Sequence, residues 1–381
     1  MDLKLKIKKS FFVMVLMSLF AFSQVVFAAS KELITLNWSA DVLPMDDNNP
    51  FLEYPGIKEK ISQAINEKLH SLQREGKLPF NLKEVSTDYG NHVIVGDDPI
   101  GIIPLSTLDK SFDSSYHANG KTFYRSIIFS GLTLALISAD PENDSWRILG
   151  TIPLNGYDMI GDNLNDLREQ PITLQEKANK FAEITIKMIN DHLDFSKDKK
   201  VARDVDIKSQ IPDTYQVTEV KITSNKAKEI FAGREDEVKE IIGAFFTNSY
   251  QRKTKRIVYP PRGSGKWKRD VNKNLYTFQM NTPSGEINFT MEMPKNPITL
   301  ELSGVAIKEM DSNSNSKVIR DIFYKVWLKK QPIENKELAE YTDHTTRREI
   351  KTGNAWVEYD PADVLIELVI DAAQNMGAQK K

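Results

Sequence analysis

Basic and aromatic side chains are concentrated between residues 252 and 273, and Asp270 is the one acidic residue in this stretch. Lysine and arginine attract phosphate and carboxylate groups, and an indole ring adds an apolar or stacking contact. We therefore predict that this basic loop contacts an anionic ligand. The expected binding residues are Arg262, Lys266, Trp267, Lys268 and Arg269. The alternative is a solvated loop that offsets the acidic first half of the chain or mediates self-association.

Part of the basic loop resembles a phosphate-binding P-loop, because Gly263 and Gly265 precede Lys266. That motif also needs a glycine six positions before the lysine and a serine or threonine directly after it. Pro260 and Trp267 occupy those two positions, so the sequence excludes nucleotide binding of this kind.

The patterns of histidines, carboxylates and nucleophiles predict no cofactor, no metal site and no catalytic residue set. None of the five histidines has a second histidine at the spacing of a helical metal site. The chain has no cysteine, which excludes disulfides, thiol nucleophiles and cysteine-bound zinc. Residues 311–315 begin like a calcium loop, but Ser316 and Ile322 replace its glycine and its last glutamate. A carboxylate-based site assembled from distant residues stays open, because it leaves no local motif.

Residues 1–28 are predicted to be a cleavable secretory signal peptide. Lysines near the start precede an uncharged, mainly apolar stretch over residues 11–22, and Val26 and Ala28 then suit signal peptidase. The alternative is an uncleaved anchor, although the stretch is shorter than the roughly 20 residues that span a bilayer. No later apolar stretch is long enough to span one either. We therefore expect a periplasmic or extracellular protein with no transmembrane span after cleavage.

Composition limits the classes of partner. The formal net charge is −2 over 381 residues, whereas a chain that binds nucleic acid is usually basic. We therefore expect no nucleic-acid partner. The half before residue 200 is acidic and the half after it is slightly basic, so opposite charges favour either contact between the halves or a homo-oligomer.

Two segments share an apolar–Ser–Gly–apolar pattern, at Ser130-Gly131 and at Ser303-Gly304. Each pattern lies in a strand that runs through a polar turn into another strand, which predicts a long hairpin in each half. Apolar residues at helical spacing predict an early and a closing helix in each half, at residues 57–73, 173–193, 230–246 and 360–376. This agreement favours an internal duplication over a chance match between two unrelated domains.

Together these patterns predict an α+β fold of two duplicated domains, each an antiparallel sheet packed with an early and a closing helix. The predicted boundaries are a signal peptide at 1–28, an acidic domain at 29–195, a charged linker at 196–214 and a second domain at 215–381. We expect a soluble cell-envelope protein that acts without catalysis as a binding or assembly module for a protein partner or an anionic envelope component. Two alternatives stay open, an extracytoplasmic hydrolase with a carboxylate-based site and a self-assembling structural protein.

Overall fold

The structure is a computed structural model. It describes residues 35–38, 42–45, 49–78, 80–84, 100–118, 120–140, 145–161, 168–193, 195, 214–254, 256–261, 268–270, 274–282, 285–310, 319–331, 339–352, 355–357 and 360–378. The predicted signal peptide lies outside the described residues, as does the predicted linker apart from Thr214. Arg262, Lys266 and Trp267 of the predicted binding site lie outside them as well.

The chain forms a mixed α+β arrangement of strands and helices. The elements of the first half are β1 (Thr35–Trp38), β2 (Leu43–Pro44), α1 (Ile57–Arg74), β3 (Asn81–Glu84), β4 (Ile100–Ala118), β5 (Lys121–Asp140), β6 (Ser145–Ile160) and α2 (Leu174–His192). Those of the second half are β7 (Thr214–Ile222), α3 (Asn225–Ile230), α4 (Glu235–Thr254), β8 (Ile257–Val258), β9 (Lys268–Asp270), β10 (Leu275–Thr282), β11 (Gly285–Glu292), β12 (Asn296–Met310), β13 (Ile319–Lys330), β14 (Ala339–Thr352), β15 (Ala355–Val357) and α5 (Pro361–Ala378). None of the described helices is long and apolar enough to cross a membrane.

The two predicted closing helices are confirmed, and both begin at polar caps. The Thr173 hydroxyl accepts a hydrogen bond from the backbone N–H of Glu176 at 3.2 Å, and the Glu176 carboxylate accepts the backbone N–H of Thr173. At α5 the Asp360 carboxylate accepts the backbone N–H of Ala362 at 2.9 Å, and Pro361 is the first helical residue. These bonds satisfy amide groups that have no partner within the helix.

The predicted early helices are confirmed in place, but the second one is divided. In α1 the apolar residues at helical spacing are all buried, as their pattern predicts. In the second half, α3 ends at Ile230 and α4 begins at Glu235. Gly233 between them has a φ of 77°, in the left-handed region that a glycine adopts readily and that ends a helix.

Both sheets are mixed, whereas the sequence predicts antiparallel sheets. The first sheet has the order β3-β1-β4-β5-β6-β11-β10-β9, with β2 beside β4, and the second has the order β15-β14-β13-β12-β7-β8. β1 joins β4 in parallel and β7 joins β12 in parallel. A strand that returns through a helix on one face of a sheet keeps its direction, so parallel pairs arise at these two places.

The strands and helices stack in layers around three buried clusters. α1 and α2 cover one face of the first sheet, where they pack against Ile128 and Leu132. α4 and α5 lie between the sheets, because one cluster joins them to Phe129 of the first sheet and Val326 of the second. The strands β9–β11 of the second half extend the first sheet through the parallel pairing of β11 with β6. The predicted domain boundaries stay predictions, and strands from both predicted domains share the first sheet.

The two halves share one order of elements. In the first half β1 lies parallel to β4, the strands β4-β5-β6 form a meander, and α2 follows. In the second half β7 lies parallel to β12, the strands β12-β13-β14 form a meander, and α5 follows. β4 has a register shift around Thr107 and β12 has one around Ser303. By this order β4 corresponds to β12, whereas the Ser-Gly pattern would match β5 with β12.

The two glycines of the Ser-Gly pattern are required by different neighbouring residues. A Cβ on Gly131 would lie 2.7 Å from the Cβ of Leu108 and 2.8 Å from the side-chain oxygen of Asn155. A Cβ on Gly304 would lie 2.9 Å from the indole of Trp327. Close approach therefore requires a glycine at both positions, but the neighbours that approach are unrelated.

Gly377→Ala should destabilise the protein by about 1–3 kcal/mol, because α4 and α5 would have to separate. A Cβ at this position would lie 2.8 Å from the Phe246 carbonyl oxygen and 2.9 Å from the Tyr250 nitrogen, and backbone atoms cannot turn away. Urea denaturation measures the loss. Gly156→Ala is the control, because the nearest atoms to its Cβ belong to the flexible side chain of Met188. Equal losses in the two variants would contradict this account.

Candidate functional site

Along most of its length, one edge of β7 has no partner strand among the described residues. β12 pairs with β7 on one side, whereas β8 pairs on the other side only with Thr214 and Tyr215. The Tyr259 N–H donates to the Tyr215 carbonyl at 2.8 Å. Pro260 and Pro261 follow, and they lack the backbone N–H that would continue a ladder. In the part of the chain that the structure describes, no other strand pairs with this edge.

A cleft with a volume of about 240 Å³ lies beside this edge. β7 forms one wall through residues 217–220, and Thr107 of β4 and Pro261 complete the lining. The side chains that α4 contributes are Asp236, Lys239 and Glu240, next to Gly243. The cleft therefore lies where the second sheet meets a helix and a strand of the first sheet.

Two β-bulges converge on this cleft. Thr107 is the extra residue where the pairing of β4 with β5 shifts between Ser106 and Leu108. Thr218 is the extra residue where the pairing of β7 with β12 shifts, because Val217 and Glu219 face consecutive residues of β12. A bulge re-aims a side chain and interrupts a ladder, and bulges are common next to binding sites.

Gly243 brings α4 close to the wall opposite. A Cβ on this residue would lie 3.2 Å from the Cβ of Pro261 and 3.7 Å from a methyl carbon of Val220. A larger side chain would extend into the space that the cleft occupies. The glycine therefore keeps the cleft open, although a glycine inside a helix lowers helical propensity by about 1 kcal/mol relative to alanine.

The charged groups around the cleft are paired with each other. Glu219 lies 3.2 Å from the Lys221 ammonium, and Asp236 lies 2.7 Å from the Lys239 ammonium. The carboxylate of Glu240 lies 3.5 Å from the Lys110 ammonium. The cleft thus presents both signs of charge at its rim, above a floor of valine, threonine, glycine and proline.

An open strand edge offers backbone N–H and C=O groups to an added strand. The run 217–220 lines the cleft, and four residues of strand span roughly 13 Å at about 3.3 Å per residue. The arrangement can therefore hold a short extended segment by main-chain hydrogen bonds, with side chains of that segment in the cleft.

Of the basic residues predicted from the sequence, the two that the structure describes, Lys268 and Arg269, are not among those that line this cleft. Lys268 and Arg269 lie in β9, which pairs with β10 at the end of the first sheet. The Lys268 side chain is exposed. Arg262, Lys266 and Trp267 lie outside the described residues, so their part in the predicted site stays a prediction. In the sequence Arg262 directly follows Pro261.

Carboxylates also converge between the first sheet and α5. Arg125 donates a hydrogen bond to Glu367 at 2.6 Å, and its other terminal nitrogen lies 3.8 Å from an oxygen of Asp363. Arg347 of β14 donates to the second oxygen of Glu367 at 2.8 Å, and the Ser114 hydroxyl donates to Asp363. Burial raises the pKa of the Asp363 carboxyl to about 6, although the Ser114 hydroxyl and the Arg125 guanidinium oppose that rise.

A second buried carboxylate holds the turn that precedes α1. Asp109 of β4 accepts the backbone N–H of Leu52 at 2.8 Å and that of Phe51 at 3.3 Å. Burial raises the pKa of this carboxyl to about 7, against the lowering effect of these two hydrogen bonds. Asp109 and Asp363 are each only 2% exposed, so these raised pKa values belong to groups that a substrate does not reach.

Among the residues that the structure describes, no group of three histidine or carboxylate side chains is placed to hold a metal ion. The cleft was not predictable from the sequence, because β-bulges and the shortness of β8 leave no local motif. The one available signal was Pro260-Pro261, which ends the ladder beside β7.

The sequence matches no protein-family model and no curated protein.

Proposed function

We propose that this chain is an exported cell-envelope protein that binds an extended segment of a protein partner along the open edge of β7. The single observation that carries the proposal is the cleft beside residues 217–220, where two bulges meet an unpaired strand edge. The protein acts in this proposal as a non-catalytic binding or assembly module that uses no cofactor.

The size of the cleft favours a chain segment over a small molecule. Small-molecule sites usually enclose about 300–1,000 Å³ and bury most of the ligand. The cleft beside β7 has about 240 Å³ and is open to solvent. A segment that adds to a strand edge needs no deep pocket, because main-chain hydrogen bonds supply much of its affinity.

The placement of the unusual carboxylates favours binding over hydrolysis. A general acid needs a raised pKa and a path to substrate. Asp109 and Asp363 have raised pKa values, but both are almost fully buried and hold structural partners. The carboxylates that line the open cleft are instead paired with lysines at its rim.

The location in the proposal rests on the sequence. The lysines, the apolar stretch and the small residues within residues 1–28 are those of a signal peptide. A protein without cysteine has no disulfides, so in the cell envelope its stability must come from core burial. Three buried apolar clusters provide such a core.

We also infer that the two halves arose by internal duplication. The shared order of strands and helices supports this, and so do the matching bulges at Thr107 in β4 and Ser303 in β12. The closing helices α2 and α5 then follow equivalent meanders. In this view the first half supplies the scaffold and the second half supplies β7 and α4.

A photocrosslinker tests the proposed function. Benzoylphenylalanine at Glu219, whose side chain is half exposed, should form an adduct with one envelope protein in growing cells. Gly243→Gln and Lys239→Trp should each abolish that adduct, because both fill the cleft. The crosslinker at Lys60, on the exposed side of α1, is the control position and should not give the same adduct.

Two variants are needed because Gly243 is buried, whereas Lys239 lies at the rim and its replacement leaves the core intact. Thermal unfolding of each variant by circular dichroism checks that it folds. An adduct that persists in both cleft-filling variants, or that forms equally from position 60, would contradict the proposal.

A further inference from the structure

The outer face of the second sheet carries aromatic and basic side chains. Along β13 the residues Tyr324 and Val326 are buried on the side that α5 covers. Side chains alternate between the faces of a strand, so Phe323, Lys325 and Trp327 lie on the opposite face. This surface, formed by β12, β13 and β14, is called the outer face below.

Trp327 lies flat on the outer face. Strand register places it between Gly304 of β12 and Thr342 of β14. The position of a Cβ on Gly304 would be 2.9–3.6 Å from three ring atoms of the indole. The ring therefore rests on the glycine backbone. The Lys325 ammonium lies over the ring, 4.7 Å from its centre.

Two further rings and two cations lie on the same face as Trp327. Register places Phe323 beside Lys308 of β12, and it places Lys325 beside His344 of β14. The rings of Phe323 and His344 are 5.6 Å apart between centroids. Together with Trp327 these side chains form a strip along the outer face, and His344 is exposed.

The charge of this strip has one sign. Between the rows of Trp327 and Phe323, the outward positions of β12, β13 and β14 hold Lys308 and Lys325 and no carboxylate. The nearest acidic residues of β13 and β14, Asp321 and Glu340, lie one row beyond the strip on each side, and they pair with Arg348 and Lys329. The strip therefore complements an anionic ligand that also has an apolar face.

We propose that the outer face binds an acidic glycan. This binding site is separate from the β7 cleft and additional to the proposed function. The Phe323 ring stacks on the C–H face of a sugar ring, and so does the Trp327 ring once the Lys325 ammonium turns from it to a carboxylate of the glycan. Lys308 and Lys325 pair with the carboxylates of the glycan, and the hydroxyls of Thr342 and Thr346 reach its hydroxyls. Both threonines are exposed on the same face.

The geometry favours a glycan over the other anionic polymers. A nucleic-acid site usually neutralises many phosphates with lysine and arginine, whereas this strip offers two lysines. A membrane-binding aromatic side chain projects from the surface into the interface, whereas Trp327 rests against Gly304. Sugar rings need neither of these features.

Affinity gel electrophoresis of the purified chain provides the test, with polygalacturonate in the gel as the acidic glycan and dextran as the neutral one. Polygalacturonate should retard the protein and dextran should not. Trp327→Ala should weaken the retardation about tenfold in apparent affinity, as expected for the loss of one stacked ring. Lys308→Ser with Lys325→Ser should abolish it. Lys226→Ser with Lys228→Ser, which removes two exposed lysines of α3, is the matched control.

Retention of polygalacturonate binding in both outer-face variants would overturn the inference. Stronger retention on oligothymidylate or on phosphatidylglycerol vesicles than on polygalacturonate would also overturn it, in favour of those ligands. Gly243→Gln should leave the retardation unchanged, so failure of the β7 proposal and failure of this one are separable.

Discussion

Arg125→Met should destabilise the protein by about 3–5 kcal/mol, the usual loss when one partner of a buried charge network is removed. Arg125 is 7% exposed and contacts the carboxylates of Asp363 and Glu367 from between the first sheet and α5. Methionine replaces the apolar stem of the side chain but leaves Asp363 with the Ser114 hydroxyl as its neighbour. One oxygen of Asp363 already has no hydrogen-bond partner among the described residues, so the uncompensated charge is costly.

The midpoint of urea denaturation at pH 7 measures this loss. Arg348→Met is the matched control, because Arg348 also makes two hydrogen bonds to a carboxylate, that of Asp321, at 2.9 and 3.1 Å. That pair lies on the surface, so its removal should leave the midpoint nearly unchanged.

A triple variant separates charge from packing. Arg125→Met combined with Asp363→Asn and Glu367→Gln should recover much of the stability, because it removes the two carboxylates that face Arg125 together with the guanidinium. If the single variant at Arg125 loses no more than the control at Arg348, the network does not hold α5 to the first sheet.

Local patterns in the sequence were sufficient to predict α1, α2 and α5. The apolar spacing of α1 and α2 and the cap formed by Asp360 and Pro361 depend on residues that are near one another in the chain. The structure confirms these elements, because helix formation and capping are short-range properties. The hairpin of β5 and β6 and that of β12 and β13 follow from turn residues for the same reason.

Strand order was not predictable in this way. The parallel pairing of β7 with β12 joins residues that are some eighty positions apart, with six elements between them. The extension of the first sheet by β11, β10 and β9 likewise depends on which edge remains free after the rest has folded. Alternating apolar residues indicate a strand, but they do not identify its neighbour.

The candidate site was hidden for a related reason. The basic loop drew attention because its charges are adjacent in sequence, whereas the cleft combines Thr107, Thr218 and Gly243 from three separate elements. None of these residues carries a distinctive chemical group. Their role comes from a register shift in two strands and from close packing of a helix, which exist only in the folded chain.

Lowering the pH from 8 to 5 should raise the free energy of unfolding by about 4 kcal/mol, given about 1.4 kcal/mol per pH unit for each titrating group. The pKa of Asp109 is raised to about 7 and that of Asp363 to about 6, whereas an unfolded aspartate titrates near 4. The folded protein therefore binds these protons more tightly than the unfolded chain does. Stability falls as the pH rises from about 4 through 6 and 7, and it stays reduced above that range.

Asp109 contributes the larger part, because its pKa lies further above pH 5. Its charged neighbours are Lys110, which lowers that pKa, and Glu53, which raises it, and burial outweighs both. Around Asp363 the carboxylates of Asp360 and Glu367 add to the effect of burial, and the Arg125 guanidinium opposes it.

Urea denaturation across this pH range, repeated on Asp109→Asn and Asp363→Asn, assigns the effect. Each variant should flatten the dependence of stability on pH, and Asp109→Asn should flatten it more. Asp191→Asn, on the exposed side of α2, should leave the slope as it is.

If the slope persists in a variant that carries both Asp109→Asn and Asp363→Asn, other groups titrate in this range. Burial then does not raise the pKa values of the two aspartates. A slope that vanishes would show that the protein keeps two carboxylates at a cost in stability near neutral pH. The Asp109 carboxylate in turn fixes the turn before α1, because it accepts two backbone N–H groups that no other described side chain contacts.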